Sequence, residues 1–78
     1  MQKKFLYTIN GKEYLLIQEL FSTNEGLQNI QRAVKQTDSI WQSSEKKGSI
    51  FTSTYFVCDI LVPSDKILEY QKMTNPYL

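Results

Sequence analysis

The alternation of apolar and polar residues predicts four β-strands, and the first two form a hairpin near the N-terminus. Residues 3–9 and 12–21 are rich in apolar and aromatic residues, and they flank Asn10-Gly11. Asn-Gly between two such segments is typical of a two-residue type I′ turn, because both turn residues need a positive φ. The resulting register pairs Ile9 with Lys12, Tyr7 with Tyr14, Leu6 with Leu15 and Phe5 with Leu16.

Over residues 23–36 the apolar residues recur at intervals of three and four, which predicts a helix. The apolar positions of its stripe are Leu27, Ile30, Ala33 and Val34. Ser22 and Glu25 have the spacing of a capping box, in which each side chain bonds to the other's free backbone amide. We therefore expect Ser22 to end the second strand and to cap this helix.

The second half of the chain predicts another hairpin with an unusually long strand. Residues 39–44 predict the third strand, residues 45–48 a polar loop containing Gly48, and residues 49–63 the fourth strand. Fifteen strand residues at about 3.3 Å each span roughly 50 Å, whereas a compact chain of this length is only about 30 Å across. The fourth strand must therefore bend, bulge or project, and Ser53-Thr54 is the expected position because it interrupts the apolar pattern.

The C-terminal segment predicts a second helix. It is expected to begin at Pro63-Ser64-Asp65 with Ser64 as its cap, and Asn75-Pro76 is expected to close it. The order ββαββα predicts one small α+β domain over residues 1–78. We expect a two-layer sandwich in which a four-stranded, mainly antiparallel sheet carries both helices on one face.

Both faces of the fourth strand are apolar, which raises the question of what covers each. Phe56, Cys58, Ile60 and Val62 are assigned to the face that meets the helices. Phe51, Tyr55, Val57 and Leu61 lie on the other face together with Asp59. A monomer seldom exposes a large apolar patch, so we expect a second copy or another protein to cover this face.

Asp59 tests this division of the strand, because a buried and unpaired carboxylate is costly. Asp59 either meets solvent or pairs with a Lys or Arg, within the chain or on a partner. Finding it buried and unpaired would mean that the two faces are wrongly assigned.

Composition excludes several kinds of catalytic and metal site. The 78 residues include no histidine and a single cysteine, Cys58. Ser–His and Cys–His nucleophiles are therefore excluded, as is a structural zinc site. The acidic residues form no metalloprotease or EF-hand motif, and we expect Cys58 to be a small core residue. The prediction is a protein without enzymatic activity, cofactor or metal.

Charge and hydropathy argue against membranes and long-range attraction to nucleic acid. The net charge is +1, which gives little electrostatic steering towards either. No segment approaches the ~20 apolar residues of a membrane helix. The N-terminal apolar run stops at Asn10, too soon for a signal peptide. With a lone cysteine as well, we expect a cytoplasmic protein.

Residue usage indicates an AT-rich genome. Ala and Arg occur once each, whereas Lys, Ile, Tyr, Phe, Asn and Met total thirty residues. Small proteins of phages and plasmids in low-GC bacteria fit this bias, and such proteins often act by binding. The sequence therefore predicts a protein-binding homodimer, encoded by a mobile element, that inhibits a partner by covering its surface.

Five residues are the candidates for protein binding: Trp41, Phe51, Tyr55, Asp59 and Arg32. Trp, Tyr and Arg are enriched at binding hot spots. The alternative for Trp41 is packing beneath the first helix, and the alternative for Arg32 is simple solvation.

Two other functions stay open at this point. One is a nucleic-acid-binding module that stacks bases on sheet aromatics beside lysines. Its candidates are Tyr7, Tyr14, Phe51 and Tyr55, with Lys3, Lys4, Lys12, Lys46 and Lys47. The other is a site for a small ligand or nucleotide at the dimer interface, which calorimetry against a nucleotide panel would test. Salt dependence separates nucleic-acid binding from protein binding, because phosphate contacts weaken steeply with salt.

Overall fold

A computed structural model describes residues 6–74, and it shows an antiparallel four-stranded sheet with two helices. The elements are β1 (Leu6–Ile9), β2 (Lys12–Phe21), α1 (Asn24–Gln36), β3 (Ile40–Ser49), β4 (Thr52–Pro63), a 3-10 turn (Ser64–Lys66) and α2 (Ile67–Thr74). The strand order across the sheet is β1-β2-β4-β3. This arrangement confirms the predicted ββαββα order and the α+β sandwich.

The first hairpin has the predicted turn and register. Asn10 and Gly11 have φ values of 52° and 79°, as a type I′ turn requires. The pairs between β1 and β2 include Leu6–Leu15, Tyr7–Tyr14 and Ile9–Lys12. The predicted start of the strand at residue 3 and the Phe5–Leu16 pair lie outside the described residues.

The predicted capping box of the first helix is wrong by one residue. Thr23 is the N-cap, and its Oγ1 accepts a hydrogen bond from the Gly26 amide at 3.0 Å. Glu25 is then the second helical residue, one position short of where a capping-box side chain reaches back. Ser22 precedes the cap and is exposed.

The second helix also begins differently from the prediction. Ser64 opens the 3-10 turn, whose N-cap position is Pro63, and no side-chain capping bond forms there. The α-helical hydrogen-bonding pattern starts at Ile67. The predicted stop at Asn75-Pro76 lies outside the described residues.

The core lies between the sheet and the two helices. Its buried residues are Ile30 and Ala33 of α1, Tyr70 of α2, and Cys58, Ile60 and Val62 of β4. The predicted helix stripe is therefore confirmed at Ile30, Ala33 and Val34, and the predicted core face of β4 is confirmed at Cys58, Ile60 and Val62. Cys58 lies fully buried in this cluster, as expected for a small core residue.

The β3–β4 hairpin projects beyond the core. The predicted loop at residues 45–48 is wrong, because β3 continues to Ser49 and the turn falls at Ile50-Phe51. Every residue from 42 to 55 is exposed. The chain measures 44 × 24 × 22 Å, and its radius of gyration of 13.2 Å exceeds the value of about 11.5 Å expected for its length. Residues 44–55 are called the arm below.

The irregularity predicted at Ser53-Thr54 is a β-bulge. These two residues of β4 lie opposite Gly48 alone, so the strand gains one residue there. The flanking pairs are Lys47–Tyr55 and Ser49–Thr52. A bulge shifts by one residue the alternation of side chains between the two faces of the sheet. Phe51 lies beyond the bulge, so the prediction that it shares a face with Tyr55 is wrong. A second bulge lies on β3 between Trp41 and Ser43.

Gly48 is expected to be essential for the bulge. Its φ is 122°, and an added Cβ would lie 2.9 Å from the Ser53 carbonyl oxygen and 3.0 Å from the Thr54 Cα. Strain and backbone overlap together should cost about 2 kcal/mol for Gly48→Ala. Amide hydrogen exchange in the arm should therefore accelerate by roughly thirty-fold.

Gly11→Ala is the matched control for this prediction. Gly11 also has a positive φ of 79°, yet a Cβ added there would meet nothing within 4 Å. This variant should show only the conformational cost, confined to the first hairpin. Unchanged exchange in the arm of Gly48→Ala would contradict the role assigned to the bulge.

Candidate protein-binding surface

The tip of the arm displays two large apolar side chains. Ile50 and Phe51 are 92% and 88% exposed. They occupy the turn between β3 and β4, at the end of a segment in which every residue is exposed. Burying an apolar side chain of this size contributes about 1.5–3 kcal/mol, so the tip carries a large potential contribution to binding.

Hydroxyl groups order the backbone of this turn. The Ser49 amide donates to Thr52 Oγ1 at 3.0 Å, and the Phe51 amide donates to Ser49 Oγ at 3.1 Å. The two hydroxyl oxygens lie 3.2 Å apart. Because these bonds form within the free protein, a partner that binds the tip does not have to order the turn.

Aromatic rings connect the base of the arm to the core. Phe21 stacks on Phe56 with ring centroids 5.1 Å apart, and it meets Trp41 edge-on at 6.4 Å. Trp41 is half-buried and packs against the core on the helix side of the sheet. The structure thus places Trp41 in the packing position that was its alternative, and a binding role for it stays a prediction.

A basic recess lies just below the tip. It has a volume of about 420 Å³ and is lined by Lys46, Lys47, Gly48, Ser49, Ile50 and Thr54. The Lys47 ammonium group pairs with Glu45 at 3.0 Å, and both side chains are largely exposed. Lys46 forms no ion pair with any described residue. The recess therefore offers positive charge and hydroxyl groups next to the apolar tip.

The sheet face opposite the helices, called the open face below, is largely apolar. The strand registers place these residues on it: Tyr7, Ile9, Lys12, Tyr14, Leu16, Gln18, Leu20, Ile40, Ser43, Glu45, Lys47, Tyr55, Val57, Asp59, Leu61 and Pro63. Leu20 is 65% exposed there, and Tyr7, Ile40 and Tyr55 are each exposed by roughly two-fifths. None of the described helices covers this face.

Asp59 supports the division of β4 into two faces. Its side chain is partly exposed, and its Oδ2 accepts a hydrogen bond from Ser43 Oγ at 3.3 Å. Asp59 makes no ion pair with a residue in the described range. Asp59 therefore faces solvent, which is the first of the two alternatives, and the face assignment holds from Tyr55 to Leu61.

The structure does not gather the five candidate residues into one site. Tyr55 and Asp59 share the open face, whereas Phe51 occupies the tip of the arm. Trp41 lies on the helix side, and Arg32 is exposed on α1 in the opposite layer.

Ile50 and Leu20 are exposed apolar residues of the tip and the open face that the predicted set does not include. The sequence hides the exposure of Ile50, because a turn at residues 45–48 would put Ile50 inside a strand. The sequence does indicate the position of Leu20, because Leu16, Gln18 and Leu20 are alternate residues of β2 and therefore lie on the same face. Its partner across the ladder is Val57, which the sequence had already assigned to the open face.

Three titratable groups lie together on the helix side of the sheet. Glu19 pairs with Cys58 across β2 and β4, and the Tyr70 hydroxyl is buried without a hydrogen-bond partner among the described residues. Burial raises the pKa of the Glu19 carboxyl. The nearby Tyr70 hydroxyl, a potential hydrogen-bond donor to the carboxylate, offsets part of that rise. Burial, followed by the charge of Glu19, raises the pKa of the Tyr70 hydroxyl.

The Cys58 thiol is held in its protonated form by the same surroundings. Burial raises its pKa, and the negative charges of Asp59 and Glu19 raise it further. The thiolate is the reactive form of cysteine. Cys58 thus has the properties of a packed core residue.

Glu19 is expected to make the protein more stable at mildly acidic pH. Its folded pKa lies above the unfolded value of 4.5, so its ionisation opposes folding once the pH rises through the folded pKa. Stability should increase as the pH falls from 7 towards 4.5, and Glu19→Gln should flatten this slope and stabilise the protein at pH 7. Urea unfolding at several pH values measures both effects, with exposed Glu25→Gln as the control. An unchanged slope in Glu19→Gln would contradict the assignment.

The rest of the described chain adds little further chemistry. Within residues 6–74, no three His, Cys, Asp or Glu side chains come together in a way that could hold a metal ion. The described helices are all too short or too polar to cross a membrane. Comparison with protein-family models, curated proteins and solved structures finds no match to this chain.

Proposed function

We propose that this chain is a non-enzymatic protein-binding module that covers a surface of its partner with the arm. One observation carries the proposal: Ile50 and Phe51 are about nine-tenths exposed at the tip of a projecting hairpin. Exposed apolar residues are common when scattered. Here two adjacent ones stand together in the turn of a hairpin in which every residue from 42 to 55 is exposed.

The shape of the tip specifies the shape of its acceptor. A convex apolar pair loses contact with water most completely in a concave apolar pocket. Binding hot spots are residues of this kind, set in pockets and surrounded by contacts that exclude water. The ordered turn at Ser49 and Thr52 lowers the entropic cost of docking. The partner is therefore a protein with an apolar pocket.

The charges around the tip specify the rim of that pocket. Lys46 and Lys47 line the recess beside Ile50, and Glu45 neutralises Lys47 in part. Acidic side chains at the rim would meet these ammonium groups as the tip enters. Such rim pairs guide association and fix orientation more than they add affinity.

The biological setting belongs to the same proposal. Residue usage typical of an AT-rich genome, with one Ala and one Arg in 78 residues, supports an origin in a phage or plasmid. The single cysteine favours the cytoplasm. An inhibitor that blocks a host protein by occlusion fits a small chain of this kind, since it needs only a surface.

Nucleic-acid binding is the second candidate, favoured by the exposed Tyr7 and Tyr55 on the open face. Lys12 lies over the Tyr14 ring at 5.8 Å, and Lys47 lies opposite Tyr55. The charges on this face balance, however, because Asp59 and Glu45 also lie on it. Protein binding therefore has the stronger support.

A pull-down from host lysate with nuclease-treated and untreated arms tests the proposal. Wild-type protein should capture the same protein in both arms, and Ile50→Ser/Phe51→Ser should lose it. Leu68→Ser is the matched control, because Leu68 is 75% exposed on α2, away from the tip. Loss of capture after nuclease treatment would favour nucleic acid, and capture by the tip variant would refute the proposal.

A further inference from the structure

We propose that the open face is a self-association surface, through which two copies of this chain pack sheet against sheet. The inference is independent of the role assigned to the tip, since the tip lies beyond the bulge at the end of the arm. Its support comes from the area, the composition and the charge of the face.

The area of the open face is sufficient for a specific dimer. β2, β3 and β4 contribute ten to twelve residues each, and β1 contributes four. At about 3.3 Å per residue and about 4.8 Å per strand, the face projects over roughly 500 Å². Two apposed faces would together bury roughly 1,000 Å², which is the lower limit for specific interfaces.

The composition of the face suits the packing of two sheets. Leu61 and Tyr14 are only 4% and 9% exposed, although no described helix lies over them. With Leu16 and the fully buried Pro63, which lie opposite them in the strand register, they form the apolar floor of the face. Leu20, Tyr7, Ile40 and Tyr55 stand above this floor and would interdigitate with a second sheet, as in a β-sandwich.

The charges of the face favour a second copy over a strongly charged partner. The described residues on the open face include two positive and two negative side chains, namely Lys12, Lys47, Glu45 and Asp59. Two identical faces therefore meet without net repulsion. Nucleic acid requires an excess of positive charge for its phosphates, and this face has none.

Light scattering on the purified full chain tests the dimer. At tens of micromolar, the wild-type mass should be twice the 9.1 kDa of one chain. Leu20→Glu places a charge in the apolar interface and should raise the dimer dissociation constant about a hundredfold, as loss of a hot spot does. Leu68→Glu is the matched control, since Leu68 is also a largely exposed leucine but lies in the opposite layer, and it should keep the doubled mass.

The outcomes separate this proposal from the one for the tip. A wild-type mass of one chain, or a Leu20→Glu variant that keeps the doubled mass, would overturn the dimer. Dissociation by Leu68→Glu, with Leu20→Glu unaffected, would overturn it in favour of a helix interface. Circular dichroism confirms that each variant is folded. Ile50→Ser/Phe51→Ser should keep the doubled mass even as it loses the protein partner.

Discussion

Ile60→Ala is expected to remove a large part of the protein's free energy of unfolding. Ile60 of β4 is fully buried, and it belongs to the core cluster that also contains residues of both helices. Truncating such a side chain costs about 2–5 kcal/mol, because apolar contact is lost and a cavity remains. A domain of this size has a total stability of only about 4–12 kcal/mol. Urea unfolding followed by circular dichroism measures the loss.

Ile50→Ala provides the control with identical chemistry. Ile50 is 92% exposed, so truncating it should change the free energy of unfolding by less than about 0.5 kcal/mol. A loss at Ile60 no larger than that at Ile50 would mean that the core has been wrongly located.

Removing the apolar tip is expected to abolish binding without affecting the fold. Each hot-spot side chain contributes about 2 kcal/mol or more, so Ile50→Ser/Phe51→Ser should weaken affinity for the captured partner at least about a hundredfold. The melting temperature should stay within a few degrees, because neither side chain touches the core. Calorimetry or surface plasmon resonance measures the affinity.

Two further variants sharpen the interpretation of that result. Leu68→Ser, which removes an apolar side chain that is 75% exposed on α2, should bind as the wild type does. Lys46→Glu should weaken binding less and mainly slow association, in a way that depends on salt, because rim charges act chiefly on the encounter. Equal losses in Leu68→Ser and the tip variant would show that binding does not depend on the arm.

The fold could be predicted from the sequence largely because its strongest signals are local. Asn10-Gly11 determines both the turn and the register of the first hairpin, since few other dipeptides adopt positive φ twice. The spacing of Ile30, Ala33 and Val34 fixes the inner face of α1. Period-two alternation from Phe56 to Val62 fixes the core side of β4.

The second hairpin is harder to predict because its turn contains none of the residue types that usually mark turns. Ile50-Phe51 has neither glycine nor asparagine, and hydroxyl groups of Ser49 and Thr52 hold it instead. The polar segment 45–48 resembles a loop, yet it is an exposed edge strand. Gly48 resembles a turn residue and has the expected positive φ, but the bulge at Ser53-Thr54 is what requires it.

The same misplacement explains the partial prediction of the candidate surface. Phe51 was chosen as a residue of the open face, and it proves to be exposed at the tip of the arm. Ile50, its neighbour, could be recognised only once the turn was located. The sequence leaves Trp41 open between binding and packing because Gln42 and Ser43 follow it, whereas its contact with Phe21 comes from a strand that is distant in sequence.

Site-specific photo-crosslinking tests the central claim, that the tip of the arm lies against a protein, most directly. A p-benzoylphenylalanine residue at position 51 should form a single protein adduct in host cells, and nuclease treatment should leave that adduct intact. The same residue at position 68 should form none. An adduct from position 68 but not from 51, or an adduct at 51 that nuclease removes, would contradict the account.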